Sequence, residues 1–191
     1  MAENGLSGLK VAILVTDGFE QIELEEPRKA LDQAGAQTSV VSPKEGRVRG
    51  WKFTEWGDEV AVDASLEKVS ADNFDALLLP GGVISPDKLR TVPKAVAFTK
   101  AFFDAGKPVA AICHGPWTLI EADVVNGRVM TSWPSLRTDL ENAGAEWVNR
   151  PVVIDGNLLT SRQPDDIAEA FNPGMVELFR ESIKARAHRA A

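Results

Sequence analysis

The stretch Val109-Ala-Ala-Ile-Cys-His-Gly-Pro-Trp-Thr-Leu-Ile120 sets the fold, because an apolar run stops at a cysteine and restarts with helical spacing. It reads as strand, sharp turn and helix. So abrupt a turn lifts the side chain at its apex out of the sheet, and it needs small residues two positions either side, here Ala111 and Gly115. Cys113 occupies the apex. The helix N-terminus that follows offers unpaired N–H groups and the positive end of a dipole, and His114 is adjacent in sequence, so the pattern favours a thiolate. A lone cysteine ending an apolar strand is ordinarily a small core hydrophobe. A core cysteine, however, needs neither Ala and Gly at the flanking positions nor a neighbouring His and a Pro in the first helical turn. The residues therefore mark Cys113 as a nucleophile.

Working outward, the strand starts at Pro108, just after a helix over 93–105 that Gly106 stops. Before that helix comes Ala76-Leu-Leu-Leu-Pro, a buried strand ending in Gly81-Gly82, where backbone N–H groups can approach a ligand closely. The first strand, 9–16, is nearly continuous apolar, as a parallel strand covered on both faces should be. Asp17-Gly-Phe-Glu20 breaks it, and a helix follows from Ile22 to Gly35, begun or kinked by Pro27. A second strand spans 37–42, and the Gly- and Trp-rich segment 43–58 reads as a hairpin or surface loop carrying Trp51 and Trp56. A short strand at 60–63 and a short helix at 65–69 complete this half. After the cysteine come a strand at 128–132, a helix at 135–143 and a hairpin of 146–154 with 158–161 around Asp155-Gly156-Asn157. A long C-terminal helix starts near Pro164 and is interrupted at Pro173-Gly174. Strands alternating with helices at these spacings give a doubly wound α/β domain with a mostly parallel sheet sandwiched by helices. Ligands gather beyond the carboxyl ends of such strands, so the loops at Asp17–Glu20, Gly81-Gly82 and Cys113-His114 are expected on one rim.

Composition narrows the function. The chain has 191 residues, 44% hydrophobic and 26% charged, which suits one globular domain spanning 1–191, with 1–8 and 185–191 as flexible tails. A net charge of −7 disfavours a nucleic-acid partner and an anionic membrane surface. One cysteine forbids an intrachain disulfide, and with only two histidines it is too thin a set for a structural zinc site. A reducing, cytoplasmic setting is the expectation. The first residues, Met-Ala-Glu-Asn-Gly, lack the apolar core of a signal sequence, and no stretch is long and apolar enough to span a membrane.

A cysteine nucleophile wants an imidazole or carboxyl group within hydrogen-bond reach. His188 lies near the C-terminus, which leaves His114 as the candidate base. Glu20 is the candidate carboxyl because it leaves the first strand on the same rim, whereas Glu23, Glu25 and Glu26 fall on the helix. A buried Glu has a raised pKa and can donate a proton to a thiolate or a substrate oxygen. The backbone N–H groups of Gly82 and His114 are the candidate oxyanion donors. Ser85-Pro86-Asp87 reads as a plain helix start, with Ser85 as its cap. Trp133 and Arg162 are assigned to core and surface respectively.

These residues together resemble the ThiJ/PfpI family of the class I glutamine-amidotransferase-like superfamily. The resemblance spans about residues 9 to 183 and rests on Gly18-Phe-Glu20, Asp75 to Gly82, Gly106 to Pro116, Thr131-Ser-Trp-Pro134, Asn142 to Trp147, and Asp155-Gly-Asn157 through Ser161-Arg162. It is nearest to the PfpI branch, described as intracellular cysteine peptidases, methylglyoxal-adduct deglycases, cofactor-free glyoxalases and stress-protection proteins. It implies a flavodoxin-like fold, Cys113 as nucleophile with Glu20 and His114 as partners, and no cofactor. It also implies self-association as a dimer or hexamer, and an acid at Asp87 that completes a neighbouring subunit's site. The expected substrates are small carbonyl compounds or glycated protein side chains. Peptide hydrolysis is the alternative within the enzyme class, and a redox sensor or holdase working through oxidation of Cys113 is the alternative outside it. The late His-x-Glu pair of the amidotransferases is absent from the sequence, which argues against ammonia transfer.

Overall fold

The computed structural model describes residues 5–190, with side chains as far as residue 185; His188 lies outside that range. In chain order the elements are β1 (Lys10–Leu14), β2 (Phe19–Glu20), α1 (Gln21–Gln33), β3 (Gln37–Ser42), β4 (Arg47–Lys52), β5 (Glu55–Ala61) and β6 (Ala64–Ser65). There follow β7 (Ala76–Leu79), α2 (Ile84–Leu89), α3 (Pro93–Asp104), β8 (Val109–Ile112), α4 (Pro116–Glu121), β9 (Val129–Met130) and α5 (Arg137–Asn142). The chain ends in β10 (Glu146–Trp147), β11 (Val152–Asp155), β12 (Leu158–Ser161) and α6 (Asn172–Ala190).

Seven strands form one sheet in the order β11-β12-β8-β7-β1-β3-β6, parallel throughout except where β11 runs against β12. Alternate residues of its central strands feed opposite cores, as a pleat with a two-residue period requires. Ala12 and Leu14 of β1 join Phe98 and Phe102 of α3 and Leu119 of α4 on one face. Val11 and Ile13 join Leu24 and Leu31 of α1 and Phe179 of α6 on the other. Both faces are covered, which is why β7 and β8 read as unbroken apolar runs. The chain leaves β1 towards β3 and returns to β7 on the other side, so the crevice lies between β1 and β7, at their carboxyl ends.

The segment after β3 is the expected hairpin: β4 and β5 pair antiparallel, and β2 adds to β4. Residues 66–69 form a turn rather than the expected helix, because the chain must double back at the sheet edge after only two paired residues of β6. Pro164–Asp166 is a 3-10 turn and Ile167–Phe171 a π-helical turn that runs directly into α6, so the helical course starts at Pro164 as expected and its irregular stretch lies just before Pro173, whose missing N–H cannot complete a regular turn there. Residues 5–8, read as part of a loose tail, form a turn in which Leu6 is buried and its N–H donates to the Ala34 carbonyl at 2.9 Å. No helix among the described residues is long and apolar enough to cross a membrane.

Candidate functional site

Cys113 ends β8 with φ of +60°, the left-handed region that L-residues other than Gly, Asn and Asp rarely adopt. The strain is held from both sides: its N–H donates to the Ser161 carbonyl at 3.0 Å, and its carbonyl accepts the Trp133 N–H at 3.0 Å. A Cβ on Gly115 would meet the Leu79 carbonyl oxygen at 2.6 Å, which is the requirement the flanking small residue answers. Pro116 opens α4 as expected.

The carboxyl that meets the sulfur belongs to Glu23, not Glu20. Glu23 is 0% exposed. One of its oxygens, Oε2, accepts the Gly81 N–H at 2.8 Å. The other, Oε1, is buried without a hydrogen-bond partner, and the side chain lies beside Cys113, the two converging on Gly81. A Cβ on Gly81 would strike Glu23 Oε2 at 2.6 Å and Cys113 Cβ at 2.7 Å, so glycine there lets strand end, carboxyl and thiol converge. Burial pushes the Glu23 pKa up to about 8, outweighing the Gly81 N–H that lowers it.

Burial and the Glu23 carboxylate push the Cys113 thiol well above its usual range, while the backbone N–H groups of Gly82 and His114 pull it down. Carboxyl and thiol are one coupled pair, whose protons leave in two widely separated steps. The carboxyl gives up its proton at about pH 8.

His114 is buried, and its Nδ1 lies 3.2 Å from Cys113 Sγ, a reach that its sequence adjacency left open. Nε2 is 3.4 Å from Ser135 Oγ, and the ring stacks on Trp133 at 6.0 Å between centroids. Burial lowers its pKa to about 4, so the imidazole is neutral at physiological pH and supplies no cation to the sulfur.

Glu20 lines the same cavity, 7% exposed, with Oε2 accepting the Phe53 N–H at 3.3 Å. Burial raises its pKa. Gly82, at φ of +78°, packs where a Cβ would meet the Glu20 backbone nitrogen at 2.5 Å. Asp87 is exposed on α2 and is not among the cavity-lining residues. Ser85 is not the helix cap, because α2 begins at Ile84; it is buried, and its Oγ accepts the Thr16 N–H at 3.0 Å, tying α2 to the end of β1. The cavity, about 410 Å³, is lined by Trp51, Phe53, Val83, Ile84, Trp133 and Pro164 besides the polar groups. Trp133 was assigned to the core and instead forms part of this wall. Arg162 is held in an ion pair with Asp166 at 2.9 Å, outside the lining.

Comparison with known proteins agrees with this fold. Residues 9–178 match the DJ-1/PfpI family. General stress protein 18 of Bacillus subtilis is 48% identical over 176 residues, covering 91% of this chain and 99% of that one. Deglycase TK1284 of Thermococcus kodakarensis is 46% identical over 172 residues, covering 90% of this chain and all of its own. Among solved structures, Schizosaccharomyces pombe DJ-1 superposes with a TM-score of 0.79 at 26% identity, covering 93% of this chain and 98% of that chain. With its doubly wound sheet, strained Cys113 elbow and near full-length matches, this chain belongs to the DJ-1/PfpI family.

Proposed function

We propose that this chain is a cysteine hydrolase acting on methylglyoxal-derived carbonyl adducts, a stress-protection deglycase with glyoxalase-like chemistry that works in the cytoplasm. The observation that carries the reading is the contact between Cys113 and a fully buried Glu23 carboxyl whose pKa has risen to about 8. Such a pair holds a nucleophile and a proton donor together at neutral pH.

The steps balance with water as the only co-reactant. Cys113 Sγ bonds to the aldehyde carbon as its proton passes to the Glu23 carboxylate, the carbonyl electron pair moves to oxygen, and that oxygen takes the proton from Glu23, giving a hemithioacetal. Glu23 carboxylate removes the hydrogen on that carbon as a proton; the pair left behind forms an enediol, and reprotonation at the adjacent carbon gives a lactoyl thioester. Water cleaves the thioester, releasing lactate and the thiol. In an amine adduct the carbon–nitrogen bond breaks as sulfur attacks, and the amine leaves with the proton. The Gly82 and His114 N–H groups hold the sulfur in place throughout, and the names of the deglycase and stress-protein relatives support the assignment. Peptide hydrolysis is less well served within one subunit, since His114 Nε2 faces Ser135 Oγ and Asp87 is exposed on α2. An Asp87-completed site requires a second copy of the chain.

Release of lactate and free amine from preformed methylglyoxal adducts of acetylated lysine and arginine tests this, with a trap for free methylglyoxal present. Wild type is expected to release both, and Cys113→Ser neither. A signal that the trap abolishes would assign the protein to free aldehyde; release unchanged in Cys113→Ser would refute the cysteine assignment.

A further inference from the structure

Glu20 is left over by the chemistry above. It is 7% exposed, yet the groups acting on its carboxyl are its own burial and one long hydrogen bond from the Phe53 N–H, with no cation among them. A carboxylate that faces a cavity with one long hydrogen bond and no cation is a costly arrangement unless a ligand supplies the counter-charge. The walls around it are aromatic: Trp51, Phe53 and Trp133 line the same space. Ring faces attract cations, most strongly when water is excluded.

Two of the rings are held in place before any ligand arrives: Trp133 stacks on His114, and Trp51 is fixed within its hairpin, while Phe53 is 71% exposed at the mouth. Trp51 Nε1 donates to the Phe53 carbonyl at 2.8 Å, closing the tip of the β4–β5 hairpin, and Trp51 packs edge-on against Trp56 at 5.3 Å. Gln21, next to Glu20, clamps the hairpin to α1: its Nε2 donates to Asp58 Oδ2 and its Oε1 accepts the Asp58 N–H, both at 2.8 Å. A Cβ on Gly50 would press on Gln21, so the hairpin is glycine where it crosses the clamp. A net charge of −7 adds a field that draws cations towards the protein.

We propose that Glu20 and the rings of Trp51, Phe53 and Trp133 form a subsite for a cationic group, ammonium or guanidinium, carried by the carbonyl substrate. The assignment rests on the hydrolase reading for its substrate but not for its geometry. Glu20 then selects substrates, while Glu23 moves protons.

Three aryl glyoxals of matched shape test it: para-trimethylammonio-, para-tert-butyl- and para-carboxyphenylglyoxal, turned over by wild type and by Glu20→Gln. Wild type is expected to prefer the cation over its neutral isostere by about tenfold or more in kcat/KM and to disfavour the anion. In Glu20→Gln the cation-to-neutral ratio is expected to fall to near one. The ratio is internal to each variant, so a general loss of activity cancels. A turnover-free arm titrates benzyltrimethylammonium against tryptophan fluorescence, with saturable quenching in wild type weakened about tenfold in Glu20→Gln. Equal use of cation and neutral isostere by wild type, or a preference that survives Glu20→Gln, would overturn the subsite. If no glyoxal is turned over but Glu20-dependent cation binding persists, the hydrolase reading fails and the subsite stands. If neither is seen, both fail.

Discussion

Glu23→Gln is expected to reduce turnover of methylglyoxal adducts by about 10²- to 10⁴-fold, the range a positioned acid–base group contributes. Glutamine keeps the shape and the polar contacts: its amide oxygen can still accept the Gly81 N–H, and its amide N–H can still donate to sulfur. What it lacks is a transferable proton. Alkylation of Cys113 by iodoacetamide needs a thiolate but no proton shuttle, so it is expected to persist in Glu23→Gln within about tenfold of wild type. Turnover and alkylation falling together would mean that Glu23 serves only to form the thiolate. Turnover that survives would remove Glu23 from the chemistry.

The same residue makes stability depend on pH. An unfolded Glu ionises near its ordinary value of 4.5, whereas buried Glu23 holds its proton up to about 8. Across that window the folded state binds more protons than the unfolded state, so stability falls as pH rises. The shift corresponds to a cost of up to about 5 kcal/mol at and above pH 8, at 1.36 kcal/mol per unit. His114 acts in the opposite sense. Its pKa is lowered from 6.5 to about 4, so its cost appears as pH falls through that interval. Comparing wild type with Glu23→Gln cancels the His114 contribution. Thermal midpoints of the two proteins are expected to be close near pH 5 and to diverge upward to pH 8, with the variant ahead by as much as about 10 °C. A constant difference across the range would show that Glu23 does not titrate there.

The elbow was legible because several local signals coincide at Cys113: the end of an apolar strand, Ala111 and Gly115 beside the apex, and Pro116 opening the helix. The carboxyl was misread for a specific reason. Phasing the helix from Ile22, which is 39% exposed, leaves Glu23 grouped with Glu25 and Glu26 rather than on the buried face. The buried face of α1 is Glu23, Leu24, Pro27 and Leu31, a helical stripe with Glu23 in step with the apolar residues. A carboxylate on the apolar stripe of a helix that starts at a ligand-binding rim was the available signal. The cavity walls at Phe53, Trp133 and Pro164 come from three segments far apart in sequence, and no local pattern joins them. The doubly wound sheet was legible throughout, whereas the turn at 66–69 depended on where the sheet ends.

Ultraviolet absorbance of the thiolate against pH tests the coupled Cys113–Glu23 pair most directly. The chain has one cysteine and no tyrosine, so one sulfur accounts for the signal and no phenolate obscures it. A thiolate that forms at lower pH in Glu23→Gln than in wild type, and is absent from Cys113→Ser, is the predicted result, because the Glu23 carboxylate raises the thiol. A thiolate midpoint that Glu23→Gln leaves unmoved would mean that the two groups do not share their titration, and it would contradict the account of this site.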